Sequence, residues 1–396
     1  MKKLLILFIL AAVASAVVYT HLGTIGKIGM INVTEIVGNQ FYKTSNQRSS
    51  PFELNYSVPR AVPGSISLLR STNLGNAVCR LIWRYSFVCA LEYALNESNV
   101  DKVRSLAEKL RGKTVQDSVW NVLAWEEKNL KYNWSKATLN PTVIEYVWNN
   151  GVESVKIVRR GIWYQTPAET LEKRNGICGD YAILTSALLA DMNVTPYPIV
   201  VNFTSGTGHA AVLVRIGGWY FVLDQHLPPM DFGAYYREWK YYRRATFGSK
   251  TIKEIHVYLV KPESGKAEVV DEGKITPEDM FKQDYDIKAQ DLRALSYSLM
   301  QDFKKVGLMP DPALKNLKPG SYLPEGYTSG RFWTFTFPHY ADYYNPVFFR
   351  QYSSYFFSHI YCGSAKEDAE SCNRVWVSAD VNGSNLVFHV LLAKYG

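Results

Sequence analysis

Between Thr166 and His226 the chain carries three residue types that thiol catalysis uses. Cys178 lies in Gly176-Ile177-Cys178-Gly179, where a short predicted helix ends and a longer one with an apolar stripe begins. Backbone N–H groups and the helix dipole at such a start favour the thiolate, which is the nucleophile. The flanking glycines let a substrate backbone come close. Position alone fits a small buried cysteine equally well.

A hairpin register adds the other two residues. His209 to Ile216 and Trp219 to Asp224 read as strands around Gly217-Gly218, a two-residue turn signal. Ile216 then faces Trp219, Ala211 faces Asp224, and His209 lies two residues further along the same face. His209 and Asp224 become diagonal neighbours, about 7–8 Å apart at the backbone, close enough for a carboxylate to hold an imidazole. That is the base-plus-orienter arrangement a thiol nucleophile needs. In this register His226 faces His209 and is the one rival base.

Gly-Ile-Cys-Gly-Asp-Tyr at a helix start, His-Ala opening a strand and a strand Trp-x-x-x-x-Asp together resemble the transglutaminase-like superfamily of papain-like thiol enzymes, in an exported microbial or archaeal-type member. The likeness spans about Lys113 to Val260, with Asn129-Leu130-Lys131-Tyr132 and Pro167-Ala168-Glu169-Thr170-Leu171 in the lead-in. It implies an α+β fold, with a Cys-bearing helix packed on an antiparallel sheet that carries His and Asp. It also implies that Cys178 attacks an acyl carbon, that His209 is general base and acid, and that Asp224 orients His209. The Cys178 backbone N–H is one expected oxyanion donor, with Trp163, Tyr164 and Gln165 as candidates for a second.

The elements that must position this segment follow from local pattern. Val103, Leu106 and Leu110, then Val115, Val119, Val122 and Leu123, recur at helical steps, with Thr114 as N-cap. Thr166-Pro167-Ala168-Glu169 is a capping box with proline in the first turn. Ile255 to Val260 reads as a further strand. Lys261-Pro262-Glu263-Ser264-Gly265 reads as a boundary. Beyond it come a helix from about Pro277 to Lys305 capped by Thr276, an aromatic belt from Phe332 to Tyr361, and a closing hairpin turned at Asn382-Gly383. The expected organisation is a leader or anchor over 1–20, an extension over 21–111 that is mostly helical after 66, a catalytic core over 112–262, and an aromatic-rich α+β region over 263–396.

Met1-Lys2-Lys3, an unbroken apolar run from Leu4 to Val13, and Ala14-Ser15-Ala16 form a secretion signal; the apolar stretch continues through Val17, Val18 and Tyr19, so an uncleaved anchor of minimal length is the alternative. The body is then expected outside the cytoplasm, secreted or held at the outer face of the membrane. Asn-x-Ser/Thr sequons at Asn32, Asn55, Asn96, Asn133, Asn193, Asn202 and Asn382 agree with export of a glycoprotein. In an oxidising compartment four of the five cysteines should pair. Cys362–Cys372 would close a polar, turn-rich loop. Cys79–Cys89 requires a bend in the intervening segment, since a single helix would hold the pair about 15 Å apart. Crossed pairings stay open, and Cys178 is left over in each.

Hydrophobic residues at 47% and charged residues at 20% exclude disorder as the main state. The net charge of +8 is spread without the basic stripe that nucleic-acid binding requires. No carboxylate, cysteine or histidine cluster has calcium or zinc spacing, so neither metal nor cofactor is expected. Tyr235 to Arg244, basic and aromatic, reads as a solvated helix over the hairpin, and the Phe332–Tyr361 belt as core packing or a protein interface. The function expected is a hydrolytic thiol enzyme acting on amide bonds of a peptide or protein substrate, touching the membrane only through its N-terminal segment. A cross-linking transglutaminase and a catalytically silent surface module are the alternatives.

Overall fold

The computed structural model describes residues 32–34, 57–68, 79–148, 152–243 and 248–396, and the expected leader or anchor over 1–20 lies outside them. The first described helices are α1 (Cys79–Ile82) and α2 (Phe87–Ala94). The bend between them brings Cys79 and Cys89 to a Cα separation of 4.9 Å, and the two form a disulfide. Helix α3 (Val115–Asn129) opens on reciprocal bonds between Thr114 and Asp117, as the cap signal predicts. After it, β1 (Lys131–Tyr132) pairs in parallel with β2 (Asn175–Gly176). Between those two strands lies α4 (Pro167–Lys173), started by the Thr166/Glu169 capping box.

Helix α5 (Cys178–Asp191) carries the cysteine at its first residue and is buried continuously from Gly179 to Leu189. A helix that is apolar on nearly every side belongs at the centre of a fold, and α5 has α2, α3 and α4 on one side and the main sheet on the other. The sheet strands are β3 (Tyr197–Phe203), β4 (Gly208–Ile216), β5 (Trp219–Asp224), β6 (His226–Asp231), β7 (Ile252–Lys261) and β8 (Glu268–Ile275). They lie antiparallel in the order β8-β7-β3-β4-β5-β6. Gly217 and Gly218, both at positive φ, make the two-residue turn, and Ile216 pairs with Trp219. Strand β8 belongs to this sheet although it lies beyond residue 262, so the expected boundary there falls inside the layer; Pro262 to Ala267 is a hairpin connection.

The remaining chain adds α6 (Phe232–Arg237), α7 (Ala289–Lys305), β9 (Tyr327–Phe337), α8 (Phe349–Ile360), α9 (Gly363–Ser371), β10 (Arg374–Asn382) and β11 (Asn385–Tyr395). The predicted helix over 277–305 is broken. Thr276 caps only Pro277–Met280, and α7 starts afresh at Ala289. The interruption is tied to the core: the Gln283 side chain accepts from the Tyr220 N–H and donates to the Gly64 and Gly218 carbonyls, and Asp284 pairs with Arg237. The closing turn is Gly383-Ser384, one residue later than predicted. The aromatic belt is core, with Phe348 packed edge-on to Phe221 at 4.8 Å and Tyr352 edge-on to Trp120 at 5.2 Å.

Cys362 and Cys372 do not pair. The intervening segment is helix α9, not a loop, and the two cysteines cap its opposite ends as free thiols. Nine helical residues hold such caps about 15 Å apart. Ala365 and Ala369, one turn apart and buried, are the stripe that makes the polar segment a helix.

Candidate active site

The triad residues converge from three elements. Cys178 sits partly exposed at the start of α5, His209 is the second residue of β4, and Asp224 ends β5. His209 Nε2 lies 2.8 Å from Asp224 Oδ1, with both side chains buried. Asp224 takes only this one ring nitrogen, and the imidazole is electrostatically coupled to Cys178. The Trp239 ring stands edge-on to His209 at 4.8 Å and closes the other side.

Electrostatics favour the charged pair. Burial pushes the Cys178 thiol up, but the His209 imidazolium and bonds from it and from the Ala210 N–H outweigh burial and bring it below its ordinary value. Burial works against protonated His209 as well. The Asp224 and Cys178 charges overcome it and hold the imidazole at about 9. Thiolate and imidazolium therefore titrate as one coupled unit. Asp224, despite burial, is held well below the usual carboxylate range by Arg243 first and His209 second.

His226 does not face His209. Gln225 takes a left-handed φ of 68° and turns the chain into β6, where His226 pairs with Asp224. Burial and then Arg243 depress its pKa to about 4, and it is His209 whose charge acts on the thiol.

The far oxygen of Asp224 is served by residues from the basic, aromatic segment. Tyr235 donates to Oδ2 at 3.1 Å and Arg243 Nη2 lies 3.0 Å from the same atom. The segment is not a solvated helix: Tyr235, Tyr236, Trp239 and Arg243 are all buried. After α6 it widens into a π-helical turn, Glu238–Tyr242, of the kind often found at functional sites. That turn places Trp239 on His209 and Arg243 on Asp224. Arg243 Nε also bonds Glu238 Oε1 at 2.9 Å, and Glu238 accepts from Tyr343. A buried polar chain thus runs from the triad into the aromatic belt. Periodicity gives no hint of it, because a π turn breaks the helical count.

The start of α5 is fixed by Asp180. It accepts from the Ile177 and Gln165 N–H groups at 2.8 Å each and pairs with buried Lys136 at 2.6 Å. Of the predicted oxyanion donors, Gln165 is committed elsewhere, since its amide donates to Asn175 O and Thr170 Oγ1. Trp163 is partly exposed and lies under the Lys136 ammonium at 4.8 Å. Tyr164 does reach the site. Its ring covers Gly179 so closely that a Cβ there would sit 2.4 Å from Cε1, and burial with the nearby Cys178 charge raises its pKa. Sequence reasoning missed Tyr132, quoted only as part of the family likeness. Burial first, and then the Cys178 charge, raise its pKa, so the phenol and the thiol are electrostatically coupled. The β1–β2 pairing sets Tyr132 opposite Gly176. Among the described residues no group of His, Cys, Asp and Glu is arranged to hold a metal ion.

Residues 101–258 match the family model described as a transglutaminase-like domain. A UPF0252 protein of Archaeoglobus fulgidus is 37% identical over 284 residues, covering 72% of this chain and 80% of the relative. A UPF0252 protein of Pyrococcus furiosus is 28% identical over 306 residues, covering 76% and 83%. The solved structure of Legionella pneumophila LapG aligns with 43% of this chain and 89% of its own at 12% identity and a TM-score of 0.21. The chain belongs to the UPF0252 family, and its central segment is a transglutaminase-like domain of mixed α and β structure.

Proposed function

We propose that this protein is an extracytoplasmic thiol enzyme that hydrolyses amide bonds of peptides or proteins. One observation carries the reading: His209, bonded to Asp224 at 2.8 Å, is electrostatically coupled to Cys178, which stays partly exposed at the start of a buried helix. A silent binding module would have no use for a buried imidazole–carboxylate pair directed at a reachable thiol. In the reaction the thiolate attacks the amide carbonyl carbon. The oxyanion is met by the Cys178 N–H and by the Tyr132 hydroxyl, with Tyr164 at the same helix start. His209 then gives its proton to the departing amine, leaving a thioester. It next takes a proton from water, whose oxygen attacks the thioester, and the returned proton regenerates the pair as the acid leaves. An amine in place of water would give cross-linking, and incorporation of a labelled amine into a glutamine-bearing acceptor separates the two outcomes. Export is supported by the N-terminal signal pattern and by the Cys79–Cys89 disulfide, a bond that oxidising compartments preserve.

The test is labelling with a thiol-directed acyl probe, mapped by mass spectrometry because Cys362 and Cys372 are also free. Wild type is expected to label at Cys178 well ahead of the other two, and Cys178→Ala to stay folded and lose that label together with all activity. Labelling of Cys178 no faster than the surface thiols overturns the reading.

A further inference from the structure

Beside Tyr132 lies an open cavity of about 520 Å³ whose lining includes Lys131, Lys173 and Arg174 along with Tyr132, Asn133 and Trp134. No lining residue is acidic. Lys131 and Asn175 pair across the β1–β2 ladder, as do Tyr132 and Gly176, so the cavity wall and the residue two before Cys178 belong to one short piece of backbone. The three cations stand in no ion pair among the described residues, whereas Asp180 is paired with Lys136 and Glu169 with Arg84.

Arg174 is the most telling of the three. It ends α4 in the left-handed region at φ 54°, a position that glycine or asparagine fills at least cost. Its guanidinium stands over the Trp125 ring at 5.3 Å, which supports the side chain at the cavity edge. Arginine in place of glycine at such a cap brings backbone strain and a fixed, planar, bidentate donor set. The donor set matches a carboxylate.

We propose that this cavity is a substrate subsite for a carboxylate carried close to the scissile amide, either on an acidic side chain or at a chain end. The inference rests on the thiol-enzyme reading above and adds the substrate class to it. Arg174 supplies the fork, Lys131 and Lys173 supply the field, and the exposed Trp134 ring, at 4.7 Å from Tyr132, offers an apolar wall for the adjoining backbone.

The test uses the full chain and three acyloxymethyl ketone probes: acetyl-Glu, acetyl-Gln and succinyl-Gln, whose acid is at the chain end instead of on the side chain. The readout is the second-order rate of Cys178 modification, alongside the rate with uncharged iodoacetamide. At least one acid-bearing probe is expected to react about tenfold faster than acetyl-Gln, and the faster one identifies the source of the carboxylate. The advantage should shrink at high salt as the screening length falls from about 10 Å at 0.1 M to about 3 Å at 1 M. It should collapse in Arg174→Gln/Lys173→Gln and fall only partway in Arg174→Lys, which keeps the charge but loses the fork. Equal rates for all three probes with iodoacetamide still reacting at Cys178 overturn the subsite alone. So does a preference that the double substitution leaves untouched. A Cys178 inert to iodoacetamide as well overturns the enzyme reading and the subsite with it.

Discussion

Arg243 Nη2 lies 3.0 Å from Asp224 Oδ2, on the carboxylate oxygen that His209 does not use. Asp224 therefore faces two cations, and the buried arginine is itself shared with Glu238. This arrangement locks the carboxylate plane and so the imidazole, and it keeps Asp224 ionised in a site where burial alone would neutralise it. Removing one partner from a buried ion pair costs about 3–5 kcal/mol. Arg243→Gln, which takes a cation from two buried carboxylates, should lower unfolding stability by that order in denaturant titration. Arg243→Lys should lose less stability but still lose activity, because one ammonium cannot serve both carboxylates in the same plane. Stability unchanged in Arg243→Gln would show that the contact does not hold the site together.

Inactivation by the probes should have a bell-shaped pH profile. The thiol is depressed, so the acid limb should fall below the ordinary free-thiol value of about 8.5. His209 is raised to about 9, so its proton is present below that value and lost above it, which places the alkaline limb there. Asp224→Asn removes the largest charge that raises His209. Its alkaline limb should move to lower pH and its maximal rate should fall. A limb that stays near 9 in Asp224→Asn would mean that the carboxylate does not set the imidazole pKa.

Tyr132→Phe separates oxyanion stabilisation from packing. The ring stays against Trp134 and Tyr181, so folding and substrate binding should be retained. Loss of one oxyanion donor typically costs about 10²–10³ in kcat. The expected result is a fall of that order in kcat with KM changed less than about threefold, the pattern of an interaction made mainly in the transition state. A rise in KM alone would reassign Tyr132 to substrate binding.

Much of this site is legible in the chain. Gly217-Gly218 fixes a hairpin register by turn geometry alone, which puts His209 and Asp224 on one face. Thr166 and Glu169 announce the helix that leads into Cys178. What escapes has physical causes. Arg243 lies beyond a π turn, where helical counting slips and a basic, aromatic run looks like a solvated face. Tyr132 reaches Cys178 only through a two-residue parallel pairing, too short to leave a strand pattern. The Gly363–Ser371 helix is polar enough to resemble a loop, and only Ala365 and Ala369 betray its period. Strand β8 follows a Pro/Gly break that marks a hairpin connection as readily as a boundary.

Glu126 offers a stability test that leaves the triad residues in place. It is fully buried on α3, accepts from Thr185 Oγ1 at 2.6 Å through one oxygen, and leaves the other without a partner. Burial raises its pKa to about 8, the Thr185 bond works the other way, and the Asp224 charge adds to the rise. The sign follows from linkage. The unfolded chain ionises Glu126 near 4.5, while the folded chain holds its proton until about 8. Below 4.5 both states are neutral and the group costs nothing. Between the two values stability is lost by about 1.4 kcal/mol per pH unit, and above 8 the loss is complete. Glu126→Gln keeps the acceptor for Thr185 and cannot ionise. Its stability advantage over wild type should be small at pH 4.5, grow steadily to pH 8 and then level off, as read from denaturant midpoints across that range. A pH-independent difference would mean that Glu126 titrates alike in the folded and unfolded chains.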